Sequence, residues 1–312
     1  MNNIKMHALL KIRKLGIKLC QIYQHLGRRK LLLMHNNKVV FVLLDGLQSE
    51  YAREHLGYLE HLCEHKKAAK YEVLGELPSA SRPMYETIFT GLPVYEHGIT
   101  NNNICRLSNQ IHIFELLKQN HKKSLALAYY WISELYLSAP FNKFLDVYHH
   151  DPKSYIDQGF FYYEDTYPDN HLYALSSSLM SHDQYDFVFI HPMGIDDAGH
   201  KYGAGSQEYA QAVIQNDKLL STYIPQWIKD GYSVVVGADH GMSENGYHGG
   251  NSHQQRTTAL YIIDQRIVNG YHSQVLTTLE FAPLLCYLLD IQATEKMKPL
   301  EVKRIHESKK EL

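Results

Sequence analysis

Residues 39–46 read VVFVLLDG, six apolar residues followed by an aspartate and a glycine. A short apolar run of this kind is typical of a strand buried on both faces of a sheet. Similar runs occur at 125–128 (LALA), 187–190 (FVFI), 233–236 (SVVV) and 259–263 (ALYII). Segments long enough for helices stand between or after them, at 56–66, 111–120, 207–229 and 277–289. This alternation predicts an α/β domain with a mostly parallel central sheet and helices on both faces.

The chain is predicted to hold one large domain, residues 38–295, with an irregular cap insertion at about 148–170 and a charged C-terminal tail at 296–312. Residues 1–44 contain nine Lys or Arg and no acidic residue, so residues 1–37 are predicted to form a basic N-terminal extension. That extension is interpreted as a poorly packed helix, or as a segment upstream of the true start at Met34. The functional alternative is an arm that touches a membrane surface or a partner.

Composition excludes several classes of protein. With 31 Lys and Arg against 33 Asp and Glu, the net charge of −2 gives no reason to expect a nucleic-acid polymer as partner. The four cysteines are far apart, which argues against a zinc ribbon or a disulfide scaffold and favours a reducing compartment. No apolar run approaches the ~18 to 20 residues of a membrane span, and no signal peptide is recognisable. These features predict a cytoplasmic protein.

Three carboxylates follow three of the predicted strands: Asp45 after VVFVLL, Asp196 after FVFIHPMGI, and Asp239 after SVVVGA. In an open α/β sheet, the carboxyl ends of the strands form the crevice where ligands bind. Three acids brought to one edge repel one another unless a cation neutralises them. The alternative is that each aspartate merely caps a helix. The set of three predicts a metal site.

Histidines accompany these carboxylates. Asp196 and His200 are spaced i, i+4, His240 follows Asp239 directly, and His248 lies in GYHGG, whose glycines let the backbone fold back closely. Oxygen ligands from Asp together with nitrogen ligands from His suit Zn²⁺ and tolerate Mn²⁺ or similar ions. Asp197 is the rival of Asp196, and His253 is a weaker rival of His248.

The nucleophile candidate is Ser81, in the segment PSASRPMYETIFTG at residues 78–91. Pro83 fits the first turn of a helix and Gly91 the position after its end, so Ser81 is predicted to stand at a helix N-terminus. Unpaired N–H groups and the helix dipole favour an anion there. The structural alternative is that Ser81, or Ser79, caps the helix.

Four motifs occur in one order: LLDG (43–46), SRPMYETIFTGLPVYEHGITNN (81–102), DDAGHKYG (196–203), and DHGM (239–242) followed by GYHGG (246–250). Together they resemble the alkaline phosphatase superfamily, and within it the type I phosphodiesterase/nucleotide pyrophosphatase group. The resemblance covers roughly residues 38–265. It implies two divalent ions, one held by Asp45, Asp239 and His240, and the other held by Asp196, His200 and His248.

The resemblance also assigns the reacting groups. Ser81 matches the nucleophile, whose oxygen binds the first ion, and Asn102 matches an Asn that helps to hold a phosphoryl oxygen. Asn101 and Asn103 leave that register open. Arg82 stands where many nucleotide pyrophosphatases have an aromatic residue. It is interpreted as a substrate-binding clamp for phosphate, or as a residue that points into solvent or pairs with Glu86.

We therefore expect a metal-dependent hydrolase that cleaves phosphodiester or pyrophosphate bonds of a small phosphate ester through a phosphoseryl intermediate, with zinc as the first candidate metal. The short spacing from DHGM to GYHGG is nearer to that of phosphoethanolamine transferases, which puts a nucleotide substrate in doubt. The alternatives are a phosphomonoesterase, a phosphoryl or phosphoethanolamine transferase using the same site, and a mutase. The remote alternative is a non-catalytic metal-binding module.

Overall fold

The computed structural model describes residues 37–305. Its nine strands are β1 (Lys38–Leu43), β2 (Ala69–Leu74), β3 (Ser124–Tyr129), β4 (Tyr148–His150), β5 (Gln158–Tyr162), β6 (Phe187–Ile190), β7 (Tyr232–Gly237), β8 (Thr257–Ile263) and β9 (Gly270–Thr277). The helices are α1 (Ser49–His55), α2 (Gly57–Glu64), α3 (Ser81–Thr90), α4 (Val94–His97), α5 (Ile113–Gln119), α6 (Trp131–Tyr136), α7 (Asp169–His182), α8 (Gly194–Tyr202), α9 (Gln207–Lys229), α10 (His253–Arg256) and α11 (Phe281–Leu289). A 3₁₀ turn at Thr278–Glu280 precedes α11.

The strands form one sheet in the order β4-β5-β3-β6-β1-β7-β8-β2-β9. β1 lies near the middle and pairs in parallel with β6 on one side and β7 on the other. β3 extends the parallel part through its pairings with β6 and β5. β8 runs antiparallel to both of its neighbours, and β4 runs antiparallel to β5. The predicted α/β fold with a mostly parallel sheet is confirmed.

Helices cover both faces of the sheet, as predicted. Side chains alternate between the two faces along a strand, so Phe41 and Leu43 of β1 face one apolar core while Val40 and Val42 face the other. The first core contains residues of α3, α5, α6 and α11, and the second contains residues of α1, α2, α7 and α9. Two covered faces explain why the central strands are continuous apolar runs.

The structure differs from the prediction at residues 148–170 and at 296–305. The first segment is not an irregular cap insertion, because it supplies β4 and β5 to the edge of the sheet and then begins α7. Its aromatic side chains pack, as Phe160 does against Tyr148 and Tyr167. Part of the predicted charged tail is also packed, since Val302 is buried and Ile267 forms a β-bridge with Arg304.

The predicted basic extension, residues 1–37, falls almost entirely outside the described residues, as does the end of the predicted tail. Within residues 37–305, none of the helices has both the length and the apolar character that crossing a bilayer requires.

Candidate active site

Three buried carboxylates meet at the carboxyl edge of the sheet. Asp45 follows β1, Asp239 follows β7, and Asp196 lies in the first turn of α8, just beyond β6. Gly46 lets them approach, because its φ of +71° is left-handed and a Cβ there would stand 2.7 Å from Oδ1 of Asp196. Its backbone N–H donates to Oδ1 of Asp239 at 3.2 Å. The parallel register of β1, β6 and β7 therefore delivers the acids to one place.

The predicted histidines stand among these carboxylates. Nε2 of His240 lies 3.2 Å from Oδ2 of Asp239 and 3.5 Å from Oδ1 of Asp45. Nε2 of His200 lies 3.3 Å from Oδ2 of Asp196 and 3.1 Å from Nε2 of His248. Two groups have their ligand atoms within 4.8 Å of one another: Asp45, Asp239 and His240, and then Asp196, His240 and His248.

The first of these groups has the same residues as the predicted first ion site. In the second, His240 takes the place that the resemblance gives to His200. His200 remains beside the group through its contacts with Asp196 and His248.

Backbone carbonyls fix the orientation of all three imidazoles. Nδ1 of His240 donates to the carbonyl of Gly241 at 2.9 Å, and Nδ1 of His200 donates to the carbonyl of Gly246 at 2.9 Å. Nδ1 of His248 donates to the carbonyl of Ser79 at 3.1 Å. With Nδ1 used in this way, Nε2 of each ring is left to act as a ligand.

Three carboxylate oxygens of the cluster are left without a hydrogen-bond donor among the described residues. Oδ1 of Asp45, Oδ1 of Asp196 and Oδ2 of Asp239 are buried without a hydrogen bond to any of the described residues. Burial and the nearby charge of Asp45 raise the pKa of Asp239 to about 8. The hydrogen bond to Asp196 raises the pKa of His200 to about 9. Buried carboxylates of this kind need a compensating charge, so the donor set fits divalent cations such as zinc.

Two residues that the sequence analysis did not select hold Asp45. Nε2 of His191 donates to Oδ2 of Asp45 at 2.9 Å, and the hydroxyl of Tyr85 donates to the same oxygen. Burial alone would raise the pKa of Asp45, but the His191 hydrogen bond, the charges of His240 and His191, and the Tyr85 hydrogen bond together lower it to about 2. The signal for His191 was its position directly after β6, where FVFI ends.

Ser81 is the first residue of α3 and is only 3% exposed. Its Oγ lies 3.1 Å from Nε2 of His240, at the edge of the carboxylate cluster. Ala80 is the N-cap of α3 and makes no side-chain cap, so the hydroxyl of Ser81 is not used in capping. Ser79 is not the cap either, because its Oγ donates to the carbonyl of Gly250.

Asn102 is the member of the NNN run that contacts α3. Its Oδ1 accepts the backbone N–H of Arg82 at 3.1 Å, which satisfies one of the N–H groups left free at the start of the helix. Asn101 instead accepts from the backbone N–H of Asn103 in a local turn. Because this hydrogen bond uses the amide oxygen of Asn102, its NH₂ group remains available as a donor.

A model of the type I phosphodiesterase/nucleotide pyrophosphatase family matches residues 39–259, a range that contains every residue of the cluster. The chain belongs to this family. The family is enzymatic and lies within the alkaline phosphatase superfamily, as the motifs predicted.

Among the curated proteins similar to this family member are several named GPI ethanolamine phosphate transferase. GPI ethanolamine phosphate transferase 2 of Candida albicans is 24% identical over 278 residues, which cover 81% of this chain and 30% of that protein. The catalytic subunit of human GPI ethanolamine phosphate transferase 3 is 30% identical over 125 residues, or 39% of this chain and 11% of that protein. The chain thus spans less than a third of the length of either relative.

Among solved structures, murine ectonucleotide pyrophosphatase/phosphodiesterase 5 superposes with a TM-score of 0.67 at 14% identity, covering 85% of this chain and 97% of that chain. The human protein of the same name superposes with a TM-score of 0.65, also at 14% identity and with the same coverage. At this identity the likeness establishes the phosphodiesterase family fold alone.

The remaining candidates lie apart from the cluster of this family member. Asp197 pairs with Lys201 at 2.8 Å, so Asp196, not Asp197, faces the cluster. His253 makes its ring contact with Thr257.

The expectations for Arg82 as a solvent-facing residue or as a partner of Glu86 are wrong. Its side chain is 3% exposed and pairs with Glu134, at 2.7 Å. Glu86 accepts instead from Ser108 and Tyr136.

Proposed function

We propose that this family member cleaves a phosphodiester by attack of Ser81 Oγ on phosphorus. The observation that carries the proposal is the 3.1 Å separation between Ser81 Oγ and Nε2 of His240, a ring that belongs to both groups of ligand atoms. The position of this hydroxyl at a helix N-terminus, uncommitted to capping and next to a set of metal ligands, supports its proposed role as the nucleophile.

The proposed ligands are Asp45, Asp239 and His240 for one divalent ion, and Asp196, His200 and His248 for the other. When bound there, zinc or a similar ion would lower the pKa of the Ser81 hydroxyl and would neutralise charge that develops on the phosphoryl group. His191 and Tyr85 hold Asp45 in place from outside the cluster.

The chain's own groups account for the rest of the reaction. Ser81 Oγ loses its proton and forms a bond to phosphorus, while the bond from phosphorus to one ester oxygen breaks and that alcohol leaves. The backbone N–H of Ser81 and the amide NH₂ of Asn102 donate to the phosphoryl oxygens. Water then attacks phosphorus, the bond to Ser81 Oγ breaks, and the hydroxyl is regenerated. The product is a phosphomonoester.

Transfer to an alcohol is the second candidate, and the relatives favour it, because those named above are ethanolamine phosphate transferases. The first half-reaction is identical, and only the acceptor in the second half differs. We place hydrolysis first because water needs no acceptor site of its own. A phosphomonoesterase is less favoured, since Arg82, which follows Ser81 in the sequence, is already paired with Glu134.

The test uses the full-length protein loaded with Zn²⁺ or Mn²⁺ and compares turnover of bis(4-nitrophenyl) phosphate with that of 4-nitrophenyl phosphate. We expect faster turnover of the diester and an at least ~100-fold loss in Ser81→Ala. Ser221→Ala, which changes a partly exposed serine of α9, is the matched control and should keep full activity. Undiminished turnover in Ser81→Ala would remove the nucleophile from the proposal.

The acceptor is identified by adding an alcohol such as ethanol or glycerol to the diester reaction and analysing the products. Hydrolysis predicts 4-nitrophenyl phosphate as the phosphorus-containing product at all alcohol concentrations. Transfer predicts a mixed diester whose yield rises with the alcohol. A preference for the monoester substrate would contradict the proposal itself.

Two expectations from the sequence are carried forward as proposals, namely a cytoplasmic location and a membrane contact through residues 1–37. Fractionation of the full-length protein, compared with a variant in which the Lys and Arg residues of that segment are replaced by Gln, tests both.

A further inference from the structure

We propose that Arg82 and Glu134 form a positioning pair that fixes Asn102 beside Ser81. This inference rests on the proposed function, because it assigns the pair a role in the attack of Ser81 on a phosphodiester. Neither residue is placed as a contact of the substrate.

Arg82 holds the Asn102 loop at two points. Its backbone N–H, in the first turn of α3, donates to Oδ1 of Asn102 at 3.1 Å. Its guanidinium Nη1 donates to the backbone carbonyl of Ile104 at 3.1 Å, two residues further along. The residue next to the nucleophile thus binds both the side chain of Asn102 and the backbone of the loop that carries it.

Glu134 of α6 fixes the guanidinium in turn. Its Oε2 accepts from Nη2 of Arg82 at 2.7 Å, while its Oε1 accepts from the backbone N–H of Phe141 at 2.9 Å and from Sγ of Cys105 at 3.2 Å. The guanidinium also lies 4.6 Å from the centre of the Trp131 ring. Both carboxylate oxygens of Glu134 and both Nη groups of Arg82 therefore have hydrogen-bond partners. The ion pair connects α6 to α3, and Arg82 also binds the loop that carries Asn102.

The burial of this pair argues for a role other than stability. The side chains of Arg82 and Glu134 are 3% and 6% exposed. A buried ion pair is a poor source of stability, because the cost of removing two charges from water offsets most of their attraction. What such a pair does supply is a fixed direction for each group. Here that direction sets where the NH₂ of Asn102 can point.

The experiment is a double-mutant cycle on full-length, metal-loaded protein. The pair is replaced as a unit, Arg82→Met with Glu134→Leu, because removing one partner alone leaves a buried charge unpaired and can prevent folding. The replacement is made in the wild-type background and in Asn102→Ala, and kcat and KM for bis(4-nitrophenyl) phosphate are measured together with the thermal midpoint.

If the pair acts through Asn102, its replacement lowers kcat by roughly 10- to 100-fold in the wild-type background, with KM changed much less. In the Asn102→Ala background the same replacement should lower kcat less than about twofold, because the donor it positions is already gone. An equal loss in both backgrounds would show that the pair only supports the fold, and would overturn the proposal. So would an unchanged kcat in the wild-type background.

The matched control is a second buried ion pair, Arg266 with Asp264, at 2.8 Å and with side chains 9% and 4% exposed. Asp264 follows β8, which runs antiparallel to β7, so this pair lies at the opposite edge of the sheet from the cluster. Replacing it by Arg266→Met with Asp264→Leu should leave kcat unchanged. Ser81→Ala is assayed in the same series. Activity that survives in Ser81→Ala contradicts the proposed function, whereas Ser81-dependent activity with an additive cycle contradicts only the positioning role.

Discussion

Asn102 has two hydrogen-bonding ends, and they are assigned to different tasks. Its oxygen accepts the N–H of Arg82 and so acts as a cap of α3, while its NH₂ is proposed to donate to a phosphoryl oxygen. Asn102→Asp keeps an acceptor for Arg82 but removes the donor. Asn102→Ala removes both.

We expect Asn102→Asp to lower kcat for the diester by about 100-fold, the usual cost of losing one donor to a developing charge. Its free energy of unfolding should stay within about 0.5 kcal/mol of wild type, whereas Asn102→Ala should lose about 1 kcal/mol, the typical contribution of a cap. Urea unfolding and steady-state kinetics on the two variants measure both quantities. Full activity in Asn102→Asp would reduce Asn102 to a cap.

His191 is predicted to control metal affinity without binding the metal. Its Nε2 donates to Oδ2 of Asp45, and its ring stacks on Phe189, with the ring centres 5.7 Å apart. His191→Phe keeps an aromatic ring in that space and removes the hydrogen bond. We expect zinc affinity to fall by roughly 10- to 100-fold, as for other residues that support a ligand from behind. Titration with Zn²⁺ against a competing chelator measures it. His182→Phe, at an exposed position in α7, serves as the control, and equal affinities in all three proteins would contradict the role.

At the scale of elements, the local pattern predicted the strands that both cores bury. β1, β3, β6 and β7 are almost wholly buried, so nearly every residue in them is apolar and the run is visible in the sequence. β2 and β9 were not predicted. Buried and half-buried positions alternate in β2, half-buried and exposed positions alternate along most of β9, and their sequences, AKYEVL and GYHSQVLT, contain polar residues. β4 has only three residues.

Residues of the site were likewise predictable only where the local sequence reveals them. The aspartates were predictable because each follows a strand, or a strand and a short turn. His191 and Tyr85 support Asp45 across 146 and 40 residues of chain, so their role depends on the register of β1 with β6 and on the packing of α3. The partner of Arg82 was not predictable for the same reason: Glu134 lies 52 residues away on another helix.

The N-terminus of α5 is predicted to make the stability of the protein depend on pH. His112 is the N-cap of α5, and its Nδ1 accepts the backbone N–H of Glu115 at 3.3 Å. Burial disfavours the imidazolium ion and lowers the pKa of His112 to about 3. The unfolded chain has the ordinary pKa of about 6.5, so below that pH the unfolded state binds the extra proton. The stability that His112 contributes is therefore complete above about pH 6.5 and is lost progressively as the pH falls toward 3.

Asn is a good N-cap that does not titrate in this range, so His112→Asn isolates the effect. Between pH 6.5 and 5 we expect wild type to lose roughly 2 kcal/mol of unfolding free energy relative to the variant, at about 1.4 kcal/mol per pH unit. Urea denaturation at a series of pH values measures the difference. The two proteins share every other titrating group, so parallel pH profiles would show that His112 is not the cause.

At the scale of the whole molecule, the metal ligands stand where the two apolar cores end. β1 contributes side chains to both cores and ends two residues before Asp45, so the strand that joins the cores also delivers a charge that opposes folding. Three carboxylates buried at one edge cost free energy unless a cation is present. Stability and function are therefore expected to conflict at this edge, as they often do at active sites.

That conflict predicts that the Asp239→Asn variant is more stable than wild type without metal and less stable than wild type with metal. Asp239 is fully buried, and its Oδ2 lacks a hydrogen bond to the described residues. In a chelator near pH 7, Asp239→Asn should raise the free energy of unfolding by roughly 1 to 2 kcal/mol, because the amide avoids the proton uptake on folding that the raised pKa of Asp239 requires. With Zn²⁺ at a hundred times its dissociation constant, wild type should gain about 2.7 kcal/mol and the variant much less, so that their order of stability reverses. Asp197→Asn, which changes a carboxylate of α8 that pairs with Lys201 outside the cluster, should follow wild type in both conditions. Thermal unfolding of the three proteins in chelator and in a zinc series decides the matter: a wild type that does not respond to zinc, or an Asp239→Asn protein that is less stable than wild type in chelator, is incompatible with a metal centre at this edge.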